Sequence, residues 1–532
     1  MREEKLFPVY LILLSLVLFF PLLGARDFWA PVEPRYAEIA RVMFAQGDWI
    51  VPTVNGDLYT DKPILYFWLV LIISKIAGAV NEWTVRLPVA VGGMGFVLAT
   101  YFVGRDFFGP RIGILAATML ATSARVIWEA RWAHIDVLFC FFFTLSVYYA
   151  GRAFLRKGNP NEILLAYVFM GLATLAKGLI GIVLPAMLLV SFMIVRREWR
   201  LIVSAKLHLG IPIFLLVVAP WIYLVNVATD GKWLADFIYV HHFQRYTAGL
   251  GHRQPIYYYF KTLPADMLPW TIFAIPALFT YRPYRGLLAD PAKLLFLLWF
   301  LIVFVFFTAS DTKRDLYLMP LLPAMAIFLA HYIDDLAAGR LPHDRFYNGI
   351  SLVFFCLVAI SGLASPLAAW ILRREVFWQS FPVAGALATG GFLAALYVRQ
   401  KQPLKVVAAT TLMMVITLLC ASFWIFPHID AAKSRRPFAL EVIRIVPSTA
   451  TLYIYADTMN DFNYYTERKV IPVISSRDEV GKLLAAANDD YMLVKEKDLI
   501  KVAVIARKMI VASEKVGSSI WHLVAFSKNT AK

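Results

Sequence analysis

Apolar runs of membrane-spanning length recur along most of this chain and leave it few folds to choose from. They lie near residues 6–24, 85–107, 111–129, 136–155, 163–177, 178–195, 208–226, 264–282, 292–308, 317–333, 348–372, 380–398 and 404–425. A helix that crosses the hydrocarbon needs about 20 apolar residues, because each of its backbone polar groups must be bonded inside the helix. Thirteen runs of this kind predict a mostly α, polytopic membrane protein. Composition agrees: 60% of the 532 residues are hydrophobic and 17% charged, which excludes an ordinary soluble enzyme. The N-terminal run lacks a small-residue cleavage site and reads as a retained first span. Cys140, Cys356 and Cys420 all lie inside apolar runs, so they form no disulfide or metal framework.

A net charge of +16 invites a nucleic-acid reading. The position of the charge argues against it, because basic residues gather in alternate short loops, as the positive-inside rule requires. With the N-terminus inside, the inside loops carry Arg105 and Arg111, Arg152 and Lys157, Arg196 and Lys206, Arg282 and Lys293, Arg340 and Arg345, and Arg399 and Lys405. A further apolar run at 63–80 would turn all of them outward if it spanned, and Lys75 interrupts it. It therefore reads as an interfacial or re-entrant helix. An odd number of spans places the C-terminus outside.

The outside face then receives the stretch from Trp29 to Lys62, which is too polar to cross a bilayer. Pro34 suits a helix start and Gly47 its end. Tyr36, Ile39, Ala40 and Met43 share one face of that helix, whereas Arg35, Glu38 and Arg41 point elsewhere. This is the pattern of a helix lying in the interface. The order PRYAEIAR, GDWIVP, NG, then Tyr59 and Lys62-Pro63 before YFWL resembles the first external loop of the bacterial polyprenyl-phosphate-dependent glycosyltransferases. These include the 4-amino-4-deoxy-L-arabinose transferase of lipid A and are related to the protein O-mannosyltransferases. The resemblance runs to about residue 320 and implies a GT-C-like fold, an inverting transfer and a polyprenyl-phosphate-linked sugar donor.

Such a transfer needs cations for the departing phosphate, an oriented acceptor and, for a hydroxyl acceptor, a base. Arg35 and Lys62 are the phosphate candidates, since guanidinium grips phosphate through paired hydrogen bonds and ammonium acts as a point charge. The resemblance implies the same role for both and adds Tyr59 to the substrate contacts. The competing reading for Arg35 is a pair with Glu38. The family usually carries an acid where this chain has Val32, which leaves Glu33 and Asp136 as catalytic candidates. Glu33 has an alternative use as a helix cap or partner of Arg35, and Asp136 as a cap or partner of Arg131. Arg131 is a candidate contact to the donor. Asp61 and His252 match family positions that orient substrate or hold a divalent metal, although no cofactor is required. The basic turn with Lys313 and Arg314 lies outside against the topological preference, which suggests contact with phosphate or acceptor. Tyr257–Tyr259 and Trp270 read as interfacial aromatics.

After residue 425 the composition changes. Strands are expected at 451–456, 470–474, 491–495, 509–512 and 520–526. Helices are expected at 438–445 and 477–487, the second opening with Ser476 and Glu479 as a capping box. Residues 1–425 thus read as the transmembrane transferase domain, and 426–532 as a small extracytoplasmic α/β domain. The partners implied are a lipid-linked sugar, a lipid or glycan acceptor and membrane lipids, with no nucleic acid. The alternatives are a protein O-glycosyltransferase and a flippase for lipid-linked sugars. A transporter favours repeated halves and charges near mid-span, and neither is evident here. The setting implied is the bacterial inner membrane, with the site on the periplasmic face. Cysteine-scanning in intact cells checks this topology. A cysteine placed in 426–532 should label with an impermeant reagent and one placed in 196–206 should not; the opposite pattern overturns it.

Overall fold

Helices account for most of the computed structural model, which describes residues 3–244, 253–280, 289–341, 345–458, 460–486, 489–499 and 510–526. Two compact units are formed. One comprises 1–23, 60–66 and 86–425; the other joins 24–59 and 67–85 to 426–532.

The first unit is helical and apolar. Among the described residues, eight helices of the chain are long and apolar enough to cross a membrane. The number is nine if Tyr258–Asp266 and Trp270–Phe279, bent by 110°, form one broken span. The thirteen runs read from sequence are thus not all matched by helices of spanning length. Phe7–Phe19 has 13 residues, Pro110–Ala121 has 12 and Ile180–Arg196 has 17. Each is short of the roughly 20 that a straight crossing takes. Leu65–Ala77, the ambiguous run, is likewise a helix of only 13 residues.

Small residues let helices approach closely. A Cβ on Gly104 would meet the Gly113 Cα at 2.7 Å, and one on Gly113 would meet the Tyr101 carbonyl oxygen at 2.7 Å. Buried arginines finish the first helix, whose last carbonyls have no partner of their own. Arg131 donates to the carbonyls of Leu18 (2.8 Å) and Pro21 (3.0 Å), and Arg86 donates to that of Leu23 (2.9 Å).

The second unit begins with the helix Val32–Gln46, ended by Gly47 in the left-handed region at φ 68°. Tyr36, Ile39, Ala40 and Met43 are buried as the periodicity requires. Glu38 is buried too, contrary to its expected outward position. Burial lifts its carboxyl to about 7, partly opposed by the bidentate Arg41 at 2.8 Å. A tight hairpin follows, β1 (Thr53–Val54) and β2 (Asp57–Leu58), turned by Asn55 and Gly56. Both turn residues have positive φ, 53° and 87°, the combination that a two-residue hairpin loop demands.

The same unit holds a five-stranded sheet of β3 (Leu452–Tyr455), β4 (Val473–Ile474), β5 (Tyr491–Lys495), β6 (Ile510–Val516) and β7 (Ser519–Ala525). Their order is β4-β3-β5-β7-β6, parallel among the first three and antiparallel thereafter. Tyr455, Ile474, Met492, Val494, Leu499, Val524 and Phe526 form its core. The helix Arg477–Ala486 starts with the Glu479 N–H donating to Ser476 Oγ at 3.2 Å. The Glu479 carboxylate turns back to the N–H of Ser475 (2.9 Å), one residue before the position a capping box predicts.

Hydrogen bonds tie the early segments of this unit to its late ones. Asn55 Oδ1 accepts from Asn463 Nδ2 (2.8 Å) and the Ile471 N–H (2.7 Å), and its Nδ2 donates to the Ile471 carbonyl (3.1 Å). The Trp29 indole donates to Asp430 (2.6 Å), and the Phe28 N–H to the Tyr465 hydroxyl (2.8 Å). Asn55→Gly keeps the turn and removes all three side-chain bonds. At about 1 kcal/mol for each bond, it should lower stability by about 2–3 kcal/mol. Thermal unfolding of the purified protein checks this, and an unchanged midpoint contradicts it.

Candidate active site

The acids and bases singled out from sequence fall into local groups. Asp136 stands in the first turn of the helix Ile135–Phe154, and its Oδ1 pairs with the ammonium of Lys177. Lys177 closes the helix Glu162–Lys177 and lies over the rings of Phe139 (5.1 Å) and Tyr317 (5.0 Å). A carboxylate at the mouth of an apolar helix requires such a partner. The partner is Lys177, where sequence suggested Arg131. Arg131 spends its donors on Leu18, Pro21 and Ser422 Oγ (3.1 Å). Lys177, His134 and Arg314 are the basic side chains whose charge acts on Asp136.

Next to this pair lies a second network. Arg125 donates to Asp266 (2.8 Å), Glu129 (3.0 Å) and Asp315 (2.5 Å). Glu129 is buried and also meets His134 Nδ1. None of these was singled out from sequence. The available signal was EARWAHID, an acid five residues ahead of a histidine and seven ahead of Asp136.

The turn 310–315 is strapped to the segment that begins at Arg253. Arg253 and Thr312 form a β-bridge, and Lys313 is buried with its ammonium on the carbonyls of Ser310 and Gln254 (3.3 Å). A surface hollow of about 390 Å³ beside them is lined by Arg253, Gln254, Pro255 and Asp311. Arg314 makes no hydrogen bond or ion pair through its side chain among the described residues; its carbonyl accepts from the Tyr259 hydroxyl at 3.2 Å. Tyr259 and Trp270 are fully buried, and the Trp270 indole donates to Thr122 at 3.0 Å. Of the aromatics expected at the interface, Tyr257 is exposed and Tyr258 half-buried, whereas Tyr259 and Trp270 are turned inward.

Lys62 and Asp61 are adjacent and paired at 3.2 Å. His241 joins them: its Nδ1 lies 3.3 Å from Asp61, and its Nε2 lies 3.0 Å from Thr60 Oγ1. His252, expected to accompany Asp61, lies outside the described residues. Among the described residues, no three His, Cys, Asp or Glu side chains gather as a metal cradle.

The remaining candidates belong to the second unit. Tyr59 is buried edge-on to Phe67 at 6.1 Å. Glu33 is buried and accepts from Arg26 at 2.8 and 3.1 Å and from the Trp29 N–H at 3.1 Å. Glu38 is taken by Arg41. Arg35 is half-buried and forms neither pair weighed for it; it has no hydrogen bond or ion pair among the described residues.

Comparison with known proteins fits this picture. A family model described as dolichyl-phosphate-mannose-protein mannosyltransferase matches residues 61–224. An undecaprenyl phosphate-alpha-4-amino-4-deoxy-L-arabinose arabinosyl transferase from Shewanella sediminis is 28% identical over 495 residues, 89% of this chain and 86% of that protein. Crystal structures of ArnT from Cupriavidus metallidurans, in the apo state and bound to undecaprenyl phosphate, give TM-scores of 0.79 and 0.78. Each covers 98% of both chains at 23% identity, a likeness of fold. The likeness is one of fold: a polytopic helical membrane protein with a small C-terminal sheet. In sequence the chain is similar to the arabinosyl transferase named above, in keeping with the resemblance carried by residues 29–62.

The Asp136–Lys177 pair makes a stability prediction. Removing one partner leaves a buried charge alone, at about 3–5 kcal/mol. Asp136→Asn and Lys177→Met should each lower the unfolding midpoint, and the double variant should recover most of the loss. Additive losses in the double variant would show that the two are not coupled.

Proposed function

We propose that this protein is an inverting glycosyltransferase. It moves a sugar from polyprenyl (undecaprenyl) phosphate to an envelope acceptor such as lipid A or another glycan, at the extracytoplasmic face of the bacterial inner membrane. One observation carries the reading. In a chain this apolar, cations are costly without partners. Arg26, Arg41, Arg125, Arg152 and Arg435 all have carboxylates. Arg35 and Arg314 have none among the described residues, and Lys62 has only its sequence neighbour Asp61. Cations without an ion pair, or paired only with a sequence neighbour, suit an anion that arrives with the substrate, and a lipid phosphate at the interface is such an anion.

In this reading Lys62 and Arg314 are candidate contacts to the donor phosphate, as Arg35 is in its own unit, and Tyr59 and Arg131 are further candidate contacts to substrate. Asp61 orients Lys62, with His252 as a further contact to substrate. Lys313 fixes the turn that presents Arg314. Glu33 sets the start of the helix that carries Arg35. Asp136, expected from sequence to act as base, is assigned to orient the acceptor, because protonating it would strip Lys177 of its counterion. Residues 1–425 carry the reaction, and 426–532 form the extracytoplasmic soluble domain.

A labelled polyprenyl-phosphate sugar incubated with the purified protein in detergent tests this. A new glycoside is expected, since transport cannot register without a sealed membrane. Arg35→Ala and Lys62→Ala should each weaken donor binding by about 10- to 150-fold, the value of a charge-assisted hydrogen bond. Unaltered donor affinity in both folded variants would remove this phosphate site.

A further inference from the structure

The two oxygens of Glu129 are divided between different partners. Oε1 accepts from Arg125 at 3.0 Å, and Oε2 meets His134 Nδ1. Arg125 is itself anchored by Asp266 at 2.8 Å, so Glu129 is held from behind. Glu129 is buried to 1% exposure, whereas the His134 side chain keeps 16%. A carboxylate on Nδ1 keeps the ring proton there and leaves the lone pair on Nε2. A buried acid that orients a partly accessible histidine is the arrangement of a general base. His134 directly precedes the helix Ile135–Phe154, two residues before Asp136, and its charge acts on Asp136.

Asp136 is poorly placed to take a proton, because Lys177 would then stay buried with no counterion. The Glu129–His134 pair carries no such penalty, since Glu129 faces the imidazolium that forms. We propose that His134, oriented by Glu129, is the general base that deprotonates a hydroxyl acceptor. This rests on the transferase reading above and narrows it to an acceptor with a neutral hydroxyl, because an ionised phosphate needs no base.

The acceptor oxygen attacks the anomeric carbon as its proton passes to His134 Nε2. The bond between that carbon and the phosphate oxygen breaks, and its electron pair stays on the oxygen to release polyprenyl phosphate. The imidazolium then gives its proton to water. Charged groups around His134 include Glu129 on its ring and Asp136 two residues on, with Arg125 acting through Glu129 and Lys177 and Arg314 through Asp136.

The test uses the full-length protein, labelled polyprenyl-phosphate sugar and an envelope glycolipid extract, intact or phosphatase-treated. Transfer should survive dephosphorylation. His134→Ala should lose about 10²- to 10⁴-fold in turnover, and added imidazole should restore part of it. Wild-type turnover should fall as pH drops through the histidine range, about 5–8. Glu129→Gln should move that limb to lower pH, because it removes the charge that stabilises the imidazolium. Full turnover in folded His134→Ala, a limb unmoved in Glu129→Gln, or transfer abolished by dephosphorylation would each overturn the base assignment. A wild-type protein that transfers nothing from the labelled donor would instead overturn the transferase reading, and the base assignment with it.

Discussion

Hydrocarbon cannot solvate a charge, and the pair of Asp136 with Lys177 answers that constraint where two helices of the helical unit end. Three elements meet there. Asp136 opens one helix, Lys177 ends another, and Tyr317 brings the segment Asp315–Leu321 over the ammonium. That segment starts with Asp315, which holds Arg125, which holds Glu129. Arg125 is kept firmly protonated: burial opposes its charge, but Asp266, Glu129 and Asp315 outweigh it. The position of His134 is therefore inherited from a buried ion pair several contacts away. This dependence sets a limit on mutational reading. A substitution at Asp315 or Tyr317 would disturb Arg125 or Lys177, and through them Glu129 or Asp136.

The arginines divide by what they hold. Arg86 and Arg131 hold backbone carbonyls at the end of the first helix, and so finish a structural element. Arg26 and Arg41 hold carboxylates within the second unit. Lys313 is the intermediate case, buried on carbonyl oxygens with no acid among its described partners. Carbonyl oxygens satisfy its N–H groups and strap the turn to Gln254. Guanidinium suits all these uses because its five donors lie in a fixed plane.

The sequence is most legible where local rules act alone. Short apolar runs set among charged residues foretold β5 at 491–495 and placed β3 and β7 within a residue or so of their bounds. Gly47 marked the helix end, and Asn55-Gly56 marked the turn, because both need positive φ. Legibility fails where partners come from far along the chain. Nothing near Asn55 shows that Ile471 and Asn463 will bond to it, more than 400 residues away. Lys177 as the partner of Asp136 is hidden for the same reason. Glu38 was misplaced because its helix is covered on more than one side, so a polar residue sits where periodicity predicts solvent. The span count fails for a different reason: hydropathy does not distinguish a full crossing from a short or broken helix.

Val32 is informative because of the residue beside it. With no acid at 32, Glu33 is the nearest carboxylate on its helix, yet its oxygens are taken by both Arg26 nitrogens and the Trp29 N–H. A proton on Glu33 would weaken three bonds at once and leave Arg26 without its counterion. The same residues lead onward: Arg26 stacks over Trp29 at 4.6 Å, and the Trp29 indole bonds to Asp430. Glu33 thus belongs to the set of contacts that binds the start of the second unit to residues 426–532. An acid locked into a structural network resists titration, and an acid that must take a proton needs the reverse: one committed oxygen and a neighbour that gains when the charge changes. In the segment from Glu129 to His134 the charge can move within a pair, because the imidazolium and the carboxylate stabilise each other. For a neutral hydroxyl acceptor, the reading proposed above therefore moves proton transfer from position 32 to the helical unit, where such a pair exists.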